Sequence, residues 1–396
     1  PPHAQCARFG RLCARQPQRM NIAIRAATLQ CAQSRNGQMH AFSDSDGLYP
    51  LHAPAAPAER SLAFLGRHIT QPYFNTFAAA KLSAADLLDI LYQHLSQAAL
   101  QADWPSESLA NTPVFIGSTA YLMSEREQML NPGYVSEIGL DTGRHSLTHV
   151  AEHFHHRLGN PDIFSFATSC TSSANALCYA VKMLRAGWCQ RALVLGFENF
   201  NALTFEHFHA MGLLADTPAY TPFAQAGGFI CGEAAACLAL ECGSGAATLR
   251  GIAGGTDTHS LTHTDSATVK RVMQAALSDA AAQPGQIRLV KTHGIGSAAT
   301  DEAEAAALHA LLPNTPRAAL KPFIGHTLGA AAIAETALLL SCLHQGALPP
   351  LPAAATYAQT DAPLAAHGLT LGSGLYLMNF FGFGGSNTSI ILEHRA

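Results

Sequence analysis

A chain of 396 residues, 48% hydrophobic and only 13% charged, is long enough to bury a large core as two domains or as one body in two parts. Its net charge of −4 argues against a nucleic-acid partner, and no run of about 18 apolar residues marks a membrane span. Ten cysteines without CxxC pairs or a Cys/His array read as reduced thiols of a cytoplasmic protein, not as a disulfide framework or metal cage.

Residues 1–19 carry Arg8, Arg11, Arg15 and Arg19 among Pro and Gln, without the apolar core of a secretory signal. Met20 and the run Asn21-Ile-Ala-Ile-Arg25 open the first strand, so 1–19 is expected to be a disordered extension; a weak amphipathic targeting segment is the lesser reading. Residues 42–60, with Pro50, Pro54 and Pro57, read as a loop. Ser83 and Asp86 start a helix in capping-box fashion, running to about Gln101. Pro113–Gly117 is a strand. Residues 145–158 read as a helix bearing His149, His153, His155 and His156. His149 and His153 share a face and could offer two metal ligands, but no third accompanies them, and a solvated or interface helix is the reading adopted.

Phe164–Ala167 reads as a buried strand, followed by a tight turn through Ser169, Cys170 and Thr171. Ala174, Leu177, Cys178, Val181 and Leu184 then recur at helical spacing. Cys170 thus sits where a strand meets a helix N-terminus, where unpaired N–H groups and the helix dipole favour a thiolate. Most cysteines are inert packing residues; this is the one whose local geometry suits a nucleophile.

Arg191–Gly196 is a further strand, and Gly228–Glu233 leads into the apolar run Ala234–Leu240. A second cycle follows. It has strands at Thr248–Ile252 and Ile287–Lys291, and a helix at Ser266–Ala282 with Val269, Val272, Met273, Ala276 and Leu277 on one face. Helices at Glu302–Leu312 and His326–His344 and strands at Leu375–Phe380 and Thr388–Leu392 complete it. Strands alternating with helices predict an α/β architecture. The similar order of the two cycles predicts two similar halves, 20–245 and 246–396, packed into one body.

Three glycine-bearing motifs lie in the second half. Lys291-Thr-His293-Gly-Ile295-Gly-Ser297 puts a histidine after a buried strand, ahead of a helix with Asp301 and Glu304. Lys321-Pro-Phe-Ile-Gly325-His326 precedes small residues that permit close helix approach. Asn379-Phe-Phe381-Gly-Phe383-Gly384-Gly-Ser-Asn387 has glycines that bring backbone N–H groups close to a ligand, as an oxyanion site requires. A lone histidine at a strand end is more often a satisfied core residue; the ordered set is more specific than any member.

Thr168–Ser173, Lys291–Ser297, Lys321–Ala332 and Asn379–Asn387, in this order, resemble the β-ketoacyl-acyl-carrier-protein synthases, the decarboxylating condensing enzymes of fatty acid and polyketide assembly, of synthase I/II type. The resemblance implies a thiolase-like fold of two βαβαβαββ halves in an αβαβα body, with the nucleophile in the first half and both histidines in the second. It implies an acyltransferase that condenses malonyl-acyl carrier protein with an acyl chain held on Cys170. It also implies that His293 and His326 drive decarboxylation, that Lys321 supports them, and that Glu304 pairs with that lysine. The N–H groups of Cys170 and Phe383 fall at the oxyanion hole. Phe383 also falls at the gate, and Ile295, Ser297, Phe381 and Gly384 at substrate-binding positions. No metal or other cofactor is implied: substrates ride on the phosphopantetheine arm of acyl carrier protein. The implied partners are that carrier and a second subunit, identical or synthase-like, paired through the strand at Ile163–Ala167. The adjacent Lys270 and Arg271 are a candidate basic patch for the carrier, beside the plainer reading of a solvated helix face.

The motif around Phe380–Asn387 holds no cysteine, against thiolase chemistry, and the third catalytic position is His326, against the coenzyme A-dependent type III synthases. The chain departs from the family pattern where Ile295 and Ser297 replace threonines. Pro222–Phe229 is one residue short and lacks the usual acid and arginine. These departures mark a divergent member, of the kind found in aryl polyene assembly; the alternative is a chain-length-factor-like partner subunit with little activity alone.

Overall fold

A computed structural model describes residues 20–34, 37–43, 56–64, 67–77, 82–129, 147–223, 227–262, 264–349 and 369–395; the expected extension at 1–19 lies outside them. The first half runs β1 (Ile22–Cys31), β2 (His40–Ser43), β3 (Ala58–Phe64), β4 (Arg67–Phe74), α1 (Ala84–Gln101), β5 (Val114–Gly117), α2 (Met123–Met129), α3 (His149–Leu158), β6 (Ile163–Phe166), α4 (Ser172–Arg185), β7 (Arg191–Glu198), α5 (Ala202–Ala210), β8 (Cys231–Gly232) and β9 (Ala234–Cys242). The second runs β10 (Ala247–Thr256), α6 (Ser266–Ala280), β11 (Ile287–Lys291), α7 (Ala298–Leu311), β12 (Arg317–Ala318), α8 (Lys321–Ile324), α9 (Ala331–Gln345), β13 (Gly374–Phe381) and β14 (Ser386–His394).

The duplication expected from the sequence is visible in the sheet. Outward from the β1–β10 junction, one arm is ordered β1, β9, β7, β5, β6 and the other β10, β14, β13, β11, β12. In each arm the first three strands are antiparallel neighbours and the last two join in parallel. Helices α4 and α9 fill the space between the arms, in a core with Val194, Leu238, Leu249, Met378 and Leu392. Helix α1 covers the outer face of the first arm, and α6 and α7 that of the second. The result is five layers, α/β/α/β/α.

Helix α9 is apolar nearly all round because both its faces are covered, whereas α4 keeps an exposed edge at Tyr179 and Lys182. In α9 every residue from Ala331 to Leu343 is buried. This corrects the expectation that no such run exists: Leu328–Gln345 is long and apolar enough to cross a membrane by length and composition, but 89% of it is buried inside the protein. Burial of Leu177, Val181 and Leu184 in α4 contributes roughly 1.5–3 kcal/mol per side chain. Ser83 caps α1 as expected, its hydroxyl oxygen accepting the Asp86 N–H at 3.1 Å while its O–H donates to the Asp86 carboxylate at 2.7 Å.

Two readings are corrected. The loop expected over residues 42–60 ends in β3, which forms a hairpin with β4; β4 in turn pairs with β8 in a separate three-stranded sheet. Residues 44–55 of that span lie outside the described residues. The strand expected to be buried at 164–167 is β6, the half-buried outer edge of the first arm. Among the described residues β6 pairs along one edge only, with β5, where Phe115 stacks on Phe164 with ring centroids 5.1 Å apart.

Candidate active site

Between β6 and α4 the chain turns sharply. Ser169 has φ +54°, and the turn closes through N–H bonds from Thr171 to Thr168 O and from Ser172 to Ser169 O, at 3.3 and 3.0 Å. The Ser172 hydroxyl accepts the Thr168 N–H at 2.9 Å. Gly117 at the end of β5 makes room, since a Cβ there would lie 2.3 Å from Ser173. Cys170 ends at the head of α4, 8% exposed.

The expected thiolate is not the resting state. Burial pushes the Cys170 thiol up to about 12, opposed chiefly by the Lys321 ammonium. Cys170 belongs to one buried cluster with Phe208, Phe229 and Ile295, and this desolvation outweighs the helix terminus. The backbone N–H groups of Phe383 and of Cys170 itself point at the sulfur.

His293 leaves β11 into a turn clamped by Glu304. The Glu304 carboxylate accepts the backbone N–H of His293 at 2.9 Å, that of Gly294 at 3.0 Å, and the Asn379 amide at 2.9 Å. On the His293 ring, Nδ1 faces the Phe381 N–H at 3.3 Å, which assigns the ring proton to Nε2. His326 stands perpendicular to it, ring centroids 5.7 Å apart. The His326 backbone bonds to Ile230 O and Gly232 N, while both its ring nitrogens are buried without a partner among the described residues. Burial first, then Lys321, holds both histidines well below the usual imidazole range, so both are neutral. Cys170, His293, His326, Ile295, Phe381 and Phe383 line one narrow cavity of about 10 Å³, room for a single water.

Below the histidines lie four buried charges. The Lys321 ammonium donates to the His293 carbonyl at 2.7 Å and to Glu335 at 2.8 Å. The Lys291 ammonium donates to the other Glu335 oxygen at 2.5 Å and to Asn379 O at 2.9 Å. The expected pairing of Lys321 with Glu304 is therefore corrected: Glu335 is the partner, and Glu304 is occupied by the N–H groups of the His293 turn. The sequence assigns no role to Glu335 or Glu198, and names Lys291 and Asn379 only as members of motifs. Glu335 had a signal, as the one charged residue in the apolar stretch Ala331–Leu343.

Ile295 is buried in the cavity wall, its N–H bonded to Asp301 at 2.9 Å and its carbonyl accepting the Tyr220 hydroxyl at 2.9 Å. Asp301 also accepts N–H groups from Gly296 and Phe223, at 2.9 and 2.6 Å. This ties the shortened Pro222–Phe229 segment to the His293 turn; residues 224–226 of it lie outside the described residues. Ser297 and Gly384 do not line the cavity: Ser297 opens α7 without a side-chain cap bond, and Gly384 is exposed at φ +83°. Lys270 is half-buried and Arg271 exposed on α6, over the buried Val272, Met273 and Ala276. On α3, His149, His153 and His156 line an open groove with Glu152, where Arg157 pairs with Asp89 at 2.5 Å. Among the described residues, ligand atoms close enough to share an ion are those of Asp257, His259 and Asp265, where Asp257 and Asp265 accept backbone N–H groups.

The sequence matches the family described as Beta-ketoacyl synthase, with its N-terminal domain over residues 44–246 and its C-terminal domain over residues 246–354. It is 30% identical over 266 residues, 57% of this chain, to polyketide synthase ThaG of Burkholderia thailandensis. It is 35% identical over 201 residues, 46% of this chain, to the pikromycin polyketide synthase component PikAIII of Streptomyces venezuelae. The matched regions are 5% and 13% of those proteins. Among solved structures, the ishigamide ketosynthase/chain length factor superposes with TM-score 0.78 at 19% identity, over 95% of this chain and 100% of that one. The ketosynthase ApeO in complex with its chain length factor ApeC, from Xenorhabdus doucetiae, superposes with TM-score 0.74 at 22% identity, over 96% and 99%. The fold is thus the thiolase-like fold of ketosynthases, and the chain belongs to the β-ketoacyl synthase family.

Proposed function

We propose that the chain catalyses decarboxylative Claisen condensation, joining a malonyl unit on acyl carrier protein to an acyl chain held on Cys170. The observation that carries this is the convergence of one thiol, two neutral imidazoles and two backbone N–H groups on a single narrow cavity. A thiol held near 12 reacts by losing its proton during attack. His326, with both ring nitrogens unpartnered, accepts that proton and returns it to the departing pantetheine thiolate. The tetrahedral oxyanion rests on the N–H groups of Cys170 and Phe383.

Malonyl carrier then enters. His293 Nε2–H and the N–H of neutral His326 donate to its thioester oxygen, and loss of carbon dioxide leaves an enolate which those donors stabilise. The enolate carbon attacks the acyl-Cys170 carbonyl, and the tetrahedral intermediate expels the thiolate, which regains a proton drawn from solvent through the His326 imidazole. Lys321 acts through the His293 carbonyl, fixing the first imidazole. The chemistry is assigned to side chains and backbone alone, with both substrates presented as carrier-bound thioesters.

A two-subunit assembly through the half-buried edge β6, with an identical or synthase-like partner, fits this reading and the ketosynthase–chain length factor pairs among similar structures. Incubation with a panel of acyl carriers should add one acyl mass to the protein, and Cys170→Ala should abolish it. A labile acyl adduct persisting in that variant would overturn the assignment.

A further inference from the structure

Glu198 ends β7 fully buried, and the chemistry above does not use it. Its Oε2 accepts the N–H groups of Thr119 and Gly329, at 2.9 and 3.0 Å, and its Oε1 that of Ala120 at 3.2 Å. Thr119 and Ala120 belong to the loop after β5; Gly329 lies three residues beyond His326. The Thr119 hydroxyl reaches the Ser169 carbonyl at 3.3 Å, next to Cys170. One carboxylate thus links the segment that bears the nucleophile to the segment that bears the second histidine.

Those segments are strained. Ser169, Tyr121 and Leu328 have φ of +54°, +49° and +43°. Left-handed backbone at such residues costs on the order of 1–3 kcal/mol each and persists only where its surroundings over-determine it. Each of the three accepts one of these bonds or directly adjoins a residue that makes one. The approach is close: a Cβ on Gly329 would stand 2.3 Å from the Thr119 nitrogen. Burial raises Glu198 to about 7, and the three N–H groups act against that rise.

We propose that Glu198 is a positioning residue that keeps the Cys170 turn and the His326 turn in mutual register, so that sulfur and second imidazole face the same cavity. Its catalytic consequence rests on the roles proposed for those two residues; the register itself can be read without catalysis.

Three variants of the full chain test it. Glu198→Leu removes all three acceptors. Glu198→Gln keeps one oxygen for Thr119 and Gly329 but sets an amide N–H against Ala120. Thr119→Val removes only the hydroxyl link to Ser169. In Glu198→Leu the amides of Thr119, Ala120 and Gly329 should lose hydrogen-exchange protection by about tenfold or more while those of β9 and β14 keep theirs. Malonyl decarboxylation should fall at least about a hundredfold in kcat with KM within about twofold, and Glu198→Gln should fall about tenfold. Thr119→Val should slow acyl loading of Cys170 and leave decarboxylation near wild type. If Glu198→Leu does not fold, the other two variants decide. A wild-type protein inert towards every carrier would defeat the condensation proposal, while exchange at the three amides would still report on the register. Exchange at those amides equal to wild type in Glu198→Gln, or rates per folded molecule within about twofold of wild type in that variant, would overturn the role of Glu198.

Discussion

Glu335→Gln is the sharpest test of the buried charge arrangement. In the native protein Lys291 and Lys321 share Glu335, and Glu304 lies close enough to act on Lys291, so two positive and two negative charges balance without water. The substitution keeps the shape and removes one negative charge, leaving a net buried positive charge. Breaking a buried pair in this way destabilises by about 3–5 kcal/mol. The loss should depend on pH, because Lys291 has a means of relief. Burial lowers it from its ordinary 10.5 to about 8, and Glu335 is the largest influence holding it up. Without Glu335 its folded pKa drops further. Where a lysine titrates lower in the native than in the unfolded state, the unfolded chain binds more protons, and stability rises with pH by up to about 1.4 kcal/mol per unit. In the wild type that rise begins near pH 8; in the variant it begins lower. The gap between them should therefore be widest near pH 6 and narrower at pH 8.5. Urea unfolding followed by circular dichroism at both values measures it. A loss under about 1 kcal/mol at pH 6, or an equal loss at both, would refute the charge accounting.

Replacing His293 or His326 by Ala should reduce malonyl decarboxylation by roughly a hundredfold or more, the scale of one lost oxyanion donor, with the two losses less than multiplicative in the double variant; condensation within a few-fold of wild type would remove them from that role. Alkylation of Cys170 by iodoacetamide should accelerate up to pH 9 and beyond without a plateau, since the thiol titrates near 12, whereas a plateau near pH 7 would show a resident thiolate. Reversal of Lys270 and Arg271 to Glu should slow carrier-dependent acylation and flatten its salt dependence while a small thioester reacts as before; equal losses with both donors would show damage to the fold. Light scattering at micromolar concentration should give a dimer, with an interface through β6 beyond about 2,000 Å² in total, and a monomer would contradict it.

Local chemistry was legible in the sequence. Ser83 and Asp86 predict their own cap, and Cys170 predicts its place between strand and helix, because each depends on neighbours a few residues away. The β3–β4 hairpin was missed for a local reason as well. Ala58-Glu59-Arg60-Ser61-Leu62 is largely exposed and has only a weak period of two, so the prolines before it dominate the reading. What depends on three-dimensional packing was misread or unseen. The resemblance implies that Glu304 pairs with Lys321, but no pattern along the chain can choose among buried carboxylates; α8 and α9 do so by bringing Lys321 to Glu335.

The same limit explains the cysteine. Its helix terminus is a local feature that favours the thiolate, while the aromatic wall that desolvates it is assembled from α5, the Phe229 segment and the Ile295 turn. These two errors have one origin, and together they alter the chemistry. Burial of the thiol outweighs the Lys321 charge that favours its thiolate, and the same Lys321 disfavours imidazolium at both histidines. The site at rest therefore holds a neutral thiol and two neutral imidazoles. In that state the imidazole N–H groups can donate to a thioester oxygen without first losing a proton, and His326 retains a lone pair for the thiol. On the proposed mechanism, charge arises only as bonds change, beside the N–H groups of Cys170 and Phe383 and the two imidazoles.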